Sequence, residues 1–208
     1  MAFQEKVVRD VGKGTYLSGL VLEGWYAKNL RTEGGMADVV THSTQHLSPD
    51  DLRSMARYLK QLPARDGHAE SWSPKADTTT ARLRAGDYSE PGATRYVEHC
   101  AACHRLDGRG APRVFPALAN NSIVFADDPS SLIQVTLAGG AMPRTPHDKM
   151  AFVMPGFDQL RNREVAEILN FIRNGWGNHV TEISESDVAR MRLLVADKPA
   201  HYVPEVKK

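Results

Sequence analysis

The chain has 208 residues, of which 41% are apolar, enough for one large domain or two small ones with a real core. Its 26 Lys and Arg nearly balance 25 Asp and Glu for a net charge of +1, which argues against nucleic-acid binding and against a generally basic membrane face. No apolar run reaches the roughly eighteen residues of a transmembrane helix, and Met1-Ala2-Phe3-Gln4-Glu5-Lys6 does not begin a secretory signal.

Residues 1 to 32 hold glycine-rich turns at Gly12-Lys13-Gly14 and Gly24, with no clear period. Gly34-Gly35-Met36 opens a helical pattern through Ala37, Val39, Val40 and Ser43. His42 and His46 lie four apart on it, a spacing that can turn two imidazoles toward one metal. No carboxylate or third histidine joins them at useful spacing, so they read as ordinary surface residues. Ser48-Pro49-Asp50-Asp51 is a helix start: serine caps, proline suits the first helical position, and the acids favour the positive end of the dipole. Leu52, Met55, Ala56 and Leu59 then form one apolar stripe, and Pro63 ends the helix. The same pattern of acid, aliphatic, aromatic and base returns 113 residues later, over Leu160 to Arg173. Residues 63–90, rich in Pro, Asp, Ser and Thr with little periodicity, read as a linker in which Trp72 anchors part of the chain.

The second unit begins at Pro91. Gly92 and Tyr96 stand four apart, so glycine permits a close helix crossing and the aromatic fills it one turn on. The expected partner is the 162–173 helix, through Ile168, Leu169, Phe171 or Ile172. That first helix leads into Cys100-Ala101-Ala102-Cys103-His104, the pattern that holds a c-type haem by two thioethers and an axial imidazole. Residues at i and i+3 share one helical face and can meet two vinyl groups on one porphyrin edge. A zinc site would need a second pair of ligands. A redox Cys-X-X-Cys would follow a strand rather than a helix, and a disulfide three residues apart on a helix would be strained.

In the loop Leu106 to Leu118, a backbone carbonyl can bind the other imidazole nitrogen and fix the ring, and Pro116 is the candidate. Arg113 reads either as the partner of a haem propionate or as a solvated arginine. Asp128-Pro129-Ser130-Ser131 starts a short helix that Gly139-Gly140 ends. Three methionines follow as possible sixth ligands, Met142, Met150 and Met154. Met154 in Met154-Pro155-Gly156-Phe157 is the best placed, shortly before the final core helix, and Met142 is the runner-up. Trp176 either packs on the haem edge or closes the core, and Ser184 caps a last helix carrying Val188, Met191 and Val195.

Several stretches together carry a resemblance. Besides Cys100 to His104 they are Phe115-Pro116-Ala117-Leu118-Ala119, Leu137-Ala138-Gly139-Gly140, Phe152-Val153-Met154-Pro155-Gly156-Phe157 and Phe171 to Asn178. They resemble the third haem domain of the cytochrome c subunit of bacterial membrane-bound, quinone-linked dehydrogenases for alcohols, gluconate and polyols. Gly24-Trp25-Tyr26-Ala27 and Met36 to Ser43 are similar to the latter part of that family's second haem domain, in which a methionine at the place of Met36 ligates iron. The family subunit carries three haems, whereas this chain has one attachment motif, which leaves Met36 an axial ligand without a haem.

The expected fold is therefore all-α. Residues 1–62 form a partial cytochrome c-like segment, 63–90 a linker, 91–178 a class I cytochrome c-like domain with crossed N- and C-terminal helices around one covalent haem c, and 179–208 a tail with a short helix. Thioether attachment of haem is expected outside the cytoplasm, so the chain reads as a mature portion or a fragment. The resemblance implies relay of single electrons from a dehydrogenase catalytic subunit to ubiquinone, on the periplasmic side of the cytoplasmic membrane. The other readings are a haem enzyme with a labile distal ligand, peroxidase-like or thiosulfate-oxidising, and a haem-free truncated fragment.

Overall fold

The structure is a computed structural model that describes residues 39–40, 42–61, 77–112, 114–141 and 152–196. The readings made on Gly12, Gly24, Trp25, Met36, Pro63, Trp72, Arg113, Met142 and Met150 lie outside those residues. The chain divides into two compact units, one of residues 1–69 with 142–151, the other of residues 70–141 with 152–208.

In the first unit, a 3-10 turn over Thr44–His46 precedes α1, Pro49–Gln61. The Ser48 hydroxyl accepts the Asp51 N–H at 3.2 Å and donates to the Asp51 carboxylate at 2.6 Å, so the predicted cap forms. Val40, Leu52 and Ala56 are buried, whereas Met55 and Tyr58 stay largely exposed. His42 and His46 are both exposed.

Among its described residues, the second unit is all-α apart from one two-residue strand pair. Its elements are α2 (Thr79–Arg84), α3 (Ala93–His99), α4 (Ala101–His104), α5 (Ser122–Phe125), α6 (Ser130–Ala138), β1 (Gly140–Ala141), β2 (Val153–Met154), α7 (Asn162–Asn174) and α8 (Glu185–Val195). Helix α2 lies in the stretch expected to be linker. It forms because the Asp77 carboxylate accepts from the Thr79 N–H and hydroxyl at 3.1 and 2.6 Å, and Leu83 enters the core. One apolar anchor in six residues gives no period for a sequence reading to detect.

Helices α3 and α7 cross as the Gly92 and Tyr96 spacing predicts. Gly92 has φ of 84°, and a Cβ there would stand 2.1 Å from the Glu167 carbonyl oxygen, so the two backbones meet with nothing between them. Tyr96 fills the next turn, its ring centroid 5.3 Å from Phe171 and 5.0 Å from Trp176. Arg95 closes the rim with ion pairs to Glu164 at 2.7 Å and Glu167 at 3.7 Å. Val165, Ile168, Leu169, Phe171 and Ile172 are all buried. Each such side chain contributes about 1.5–3 kcal/mol of apolar transfer, which is why this crossing holds the domain together.

Helix α8 packs on α6 and α7 through Val188, Met191 and Val195. Ser184 caps it, accepting the Asp187 N–H at 3.1 Å while the Asp187 carboxylate accepts the Ser184 N–H at 3.1 Å. Arg192 fastens it to the approach to α7, donating to the Asp158 and Leu160 carbonyls at 2.6 Å each and to Asn162 Oδ1 at 2.8 Å.

Candidate haem-attachment site

Cys100 ends α3 and begins α4 with helical dihedrals, and its carbonyl accepts from the Cys103 N–H at 3.2 Å and the His104 N–H at 2.9 Å. One helical turn thus carries both thiols with the imidazole directly after them. The turn stops at Arg105, whose φ of 65° is costly for a non-glycine residue. The Tyr96 hydroxyl donates to the Arg105 carbonyl at 2.6 Å and holds that conformation. Burial pushes the Tyr96 phenol up, followed by the charges of Cys100 and Asp107, so the hydroxyl remains a proton donor.

His104 is 7% exposed, and its Nδ1 donates to the Pro116 carbonyl at 2.9 Å. A proton on Nδ1 puts the lone pair on Nε2, the nitrogen a metal would take, and the bond to the carbonyl fixes the ring plane. Pro116 is held in turn. The Leu118 and Ala119 N–H groups donate to the Gly108 carbonyl at 2.7 and 3.0 Å, and Asn121 Nδ2 donates to the Ala117 carbonyl at 2.6 Å.

Both thiols are free; Cys100 is buried and Cys103 half-buried. Burial, and after it the neighbouring Cys103, push the Cys100 thiol up to about 12. A thioether has no proton to lose, so the same apolar setting suits an attached sulfur. The donor set therefore fits a haem c: two thiols on one turn and an imidazole with the correct tautomer locked by a carbonyl.

Met154 stands on β2, half-buried and paired with Gly140, while Val153 pairs with Ala141. The flanks of this segment reach the motif and its loop. Phe152 packs at a tilt against Phe115, next to Pro116, with centroids 5.6 Å apart, and Phe157 packs likewise against His99, next to Cys100, also at 5.6 Å. The Phe157 N–H donates to the Thr136 carbonyl at 2.9 Å, tying the segment to α6.

Trp176 closes the core. Its ring is buried between Tyr96 and Phe171, and its Nε1 donates to the Leu106 carbonyl at 3.0 Å. Its ring also lies against Gly108, where a Cβ would come within 2.5 Å.

Three buried polar residues were not singled out from the sequence as members of this framework. Asn178 joins α7 to the loop that carries Pro116, and Asn121 caps α5 by accepting the Ile123 N–H at 3.0 Å. Arg173 is only 1% exposed and donates to the Val124, Ala126 and Thr181 carbonyls at 2.8–3.0 Å. Burial lowers its pKa, against a raising contribution from Asp127. A lone base inside Phe171-Ile172-Arg173 was the one available signal, because a charge is rarely buried without a full set of partners.

An all-α domain that presents two thiols and a carbonyl-locked histidine on one helical turn defines the class of c-type haem domains. A family model described as Cytochrome c matches residues 89–176. The chain is 45% identical to the alcohol dehydrogenase (quinone) cytochrome c subunit of Gluconobacter oxydans, over 93% of this chain and 47% of that subunit. It is 36% identical to the gluconate 2-dehydrogenase cytochrome c subunit of Pantoea cypripedii, over 92% of this chain and 51% of that subunit. Cytochrome c-552 of Thermus thermophilus is 33% identical over 42% of this chain and 69% of its own length. The chain belongs to the cytochrome c family, and that membership implies a covalently bound haem c. It spans about half the length of the dehydrogenase subunits it matches. No helix among the described residues is long and apolar enough to cross a membrane.

Proposed function

We propose that this chain is an electron-transfer cytochrome in which Cys100 and Cys103 would hold one haem c through thioethers and His104 and Met154 would ligate its iron. It passes single electrons from the catalytic subunit of a membrane-bound dehydrogenase toward the ubiquinone pool, on the periplasmic side of the cytoplasmic membrane. The bound group supplies reversible one-electron exchange, and a histidine–methionine pair suits a high potential with no coordination site left for substrate.

The observation that carries this reading is the bracketing of Met154. The segment that bears it packs at one end against Phe115, beside the carbonyl that locks His104, and at the other against His99, beside Cys100. The two residues that flank Met154 in this way thus touch the neighbours of Pro116 and of Cys100. The single attachment motif supports one haem per chain, and the dehydrogenase cytochrome c subunits among the relatives support the choice of partner. The periplasmic placement follows from where thioethers to haem are made.

The test is the haem-to-protein ratio and absorption spectrum of the chain matured in a haem-attaching host. One haem per chain is expected, with a band at the red edge of the visible in the oxidised form that reports sulfur on iron. Met154→Ala should remove that band, lower the potential and open the iron to added ligands. A spectrum unchanged by Met154→Ala transfers the ligand role to another methionine, and a colourless protein overturns the haem reading.

A further inference from the structure

The Asn178 side chain is fully buried and makes three hydrogen bonds. Nδ2 donates to the Ile172 carbonyl at 2.9 Å and to the Leu118 carbonyl at 3.2 Å, while Oδ1 accepts the Asn120 N–H at 3.1 Å. Both donors and one acceptor site of the amide are thus used. One end of this cross-link is the core helix α7, and the other is the segment from Leu118 to Asn120. Two residues before that segment is Pro116, whose carbonyl receives the His104 Nδ1 proton.

We infer that Asn178 is a positioning residue for the axial histidine: it clamps the Leu118–Asn120 segment to α7 and so holds the Pro116 carbonyl against His104. This rests on haem ligation by His104. A carbonyl held in place strengthens the Nδ1 hydrogen bond, makes Nε2 a better donor and favours the oxidised iron. A clamp released weakens the bond, and the ring proton exchanges with water more readily. The Asn178 side chain hydrogen-bonds neither to the two cysteines nor to the imidazole.

The closing experiment compares holoprotein carrying Asn178→Ala with holoprotein carrying Asn170→Ala. Asn170 makes a similar cross-link, donating to the Ile183 carbonyl at 3.0 Å and accepting the Ile183 N–H at 2.7 Å, but it ties α7 to the stretch before α8. Exchange of the His104 Nδ1 proton, followed by NMR in the reduced protein, should be roughly tenfold faster in Asn178→Ala and unchanged in Asn170→Ala. The reduction potential should rise in the first variant alone, with the sulfur-to-iron band kept. Equal exchange rates and potentials in the two variants overturn the inference while leaving the haem reading intact, whereas loss of haem from the parent protein overturns the haem reading itself. If Asn178→Ala yields no holoprotein, the unaltered protein decides: under weak denaturant, the Asn178 side-chain amide protons and the His104 ring proton should open together. A ring proton that exchanges while the Asn178 amide stays protected overturns the clamp.

Discussion

Helices α1 and α7 carry the same pattern of side chains 113 residues apart, and they have different fates. In α7, Ile168 and Phe171 are 1% and 3% exposed, whereas Met55 and Tyr58, at the corresponding places in α1, are 39% and 64% exposed. The innermost pair of each is buried alike, Val165 and Leu169 in one, Leu52 and Ala56 in the other. An amphipathic pattern therefore says which face of a helix can be covered. How far round the face is covered depends on the partner, and α7 has one that meets it backbone to backbone at Gly92.

The sharpest way to break the comparison is to truncate its aromatic pair. Phe171→Ala should cost about 3–5 kcal/mol in chemical denaturation followed at the haem band, while Tyr58→Ala should cost under about 0.5 kcal/mol by far-ultraviolet dichroism. Equal costs would mean that α1 is as deeply engaged as α7. Next in size is the crossing itself. Gly92→Ala places a methyl group into the Glu167 backbone at a φ of 84°. A loss of about 2–3 kcal/mol in the same denaturation experiment is expected.

A smaller effect tests the ends of the two helices. Ser48→Ala removes the α1 cap and should cost about 1 kcal/mol of helix stability, read by dichroism. The smallest concerns Glu164, whose position in α1 is taken by Asp51. Hydrogen bonds from the Arg161 side chain, the Arg161 N–H and then Arg95 lower the Glu164 carboxyl from 4.5 to about 2. Its folded value lies below its unfolded one, so its contribution is present above pH 4.5 and fades as the pH falls toward 2. An acid titration of stability should be shallower across that interval in Glu164→Gln than in the parent.

Much of both units is legible in the sequence because it rests on local rules. Ser48 and Ser184 cap where their spacing to an acid allows, Gly92 and Tyr96 mark a crossing, and the Cys100 to His104 spacing is imposed by the porphyrin it must reach. Pro116 was named as the carbonyl for His104, and the structure puts the two in hydrogen-bond contact at 2.9 Å. Helix α2 is not legible because the Asp77 side chain that accepts from the Thr79 N–H lies before its N-cap, Thr78, and its one apolar core contact is Leu83. The sequence offers Trp176 two roles, and its contacts with Tyr96, Phe171 and Leu106 lie in the core.

What the sequence alone determined is the chemistry that acts within one turn of chain: two thiols and an imidazole at fixed spacing, the helix caps, and the residue types able to close a crossing. What only the tertiary structure decided is which distant polar groups meet. Asn178 reaches a carbonyl 60 residues away, and Arg173 reaches carbonyls 47 and 49 residues away. A buried amide or guanidinium keeps its place only when every donor finds an acceptor, and those acceptors are backbone carbonyls that carry no residue signature. Covalent spacing can be read along the chain, whereas the satisfaction of a buried polar group depends on where the whole chain has folded.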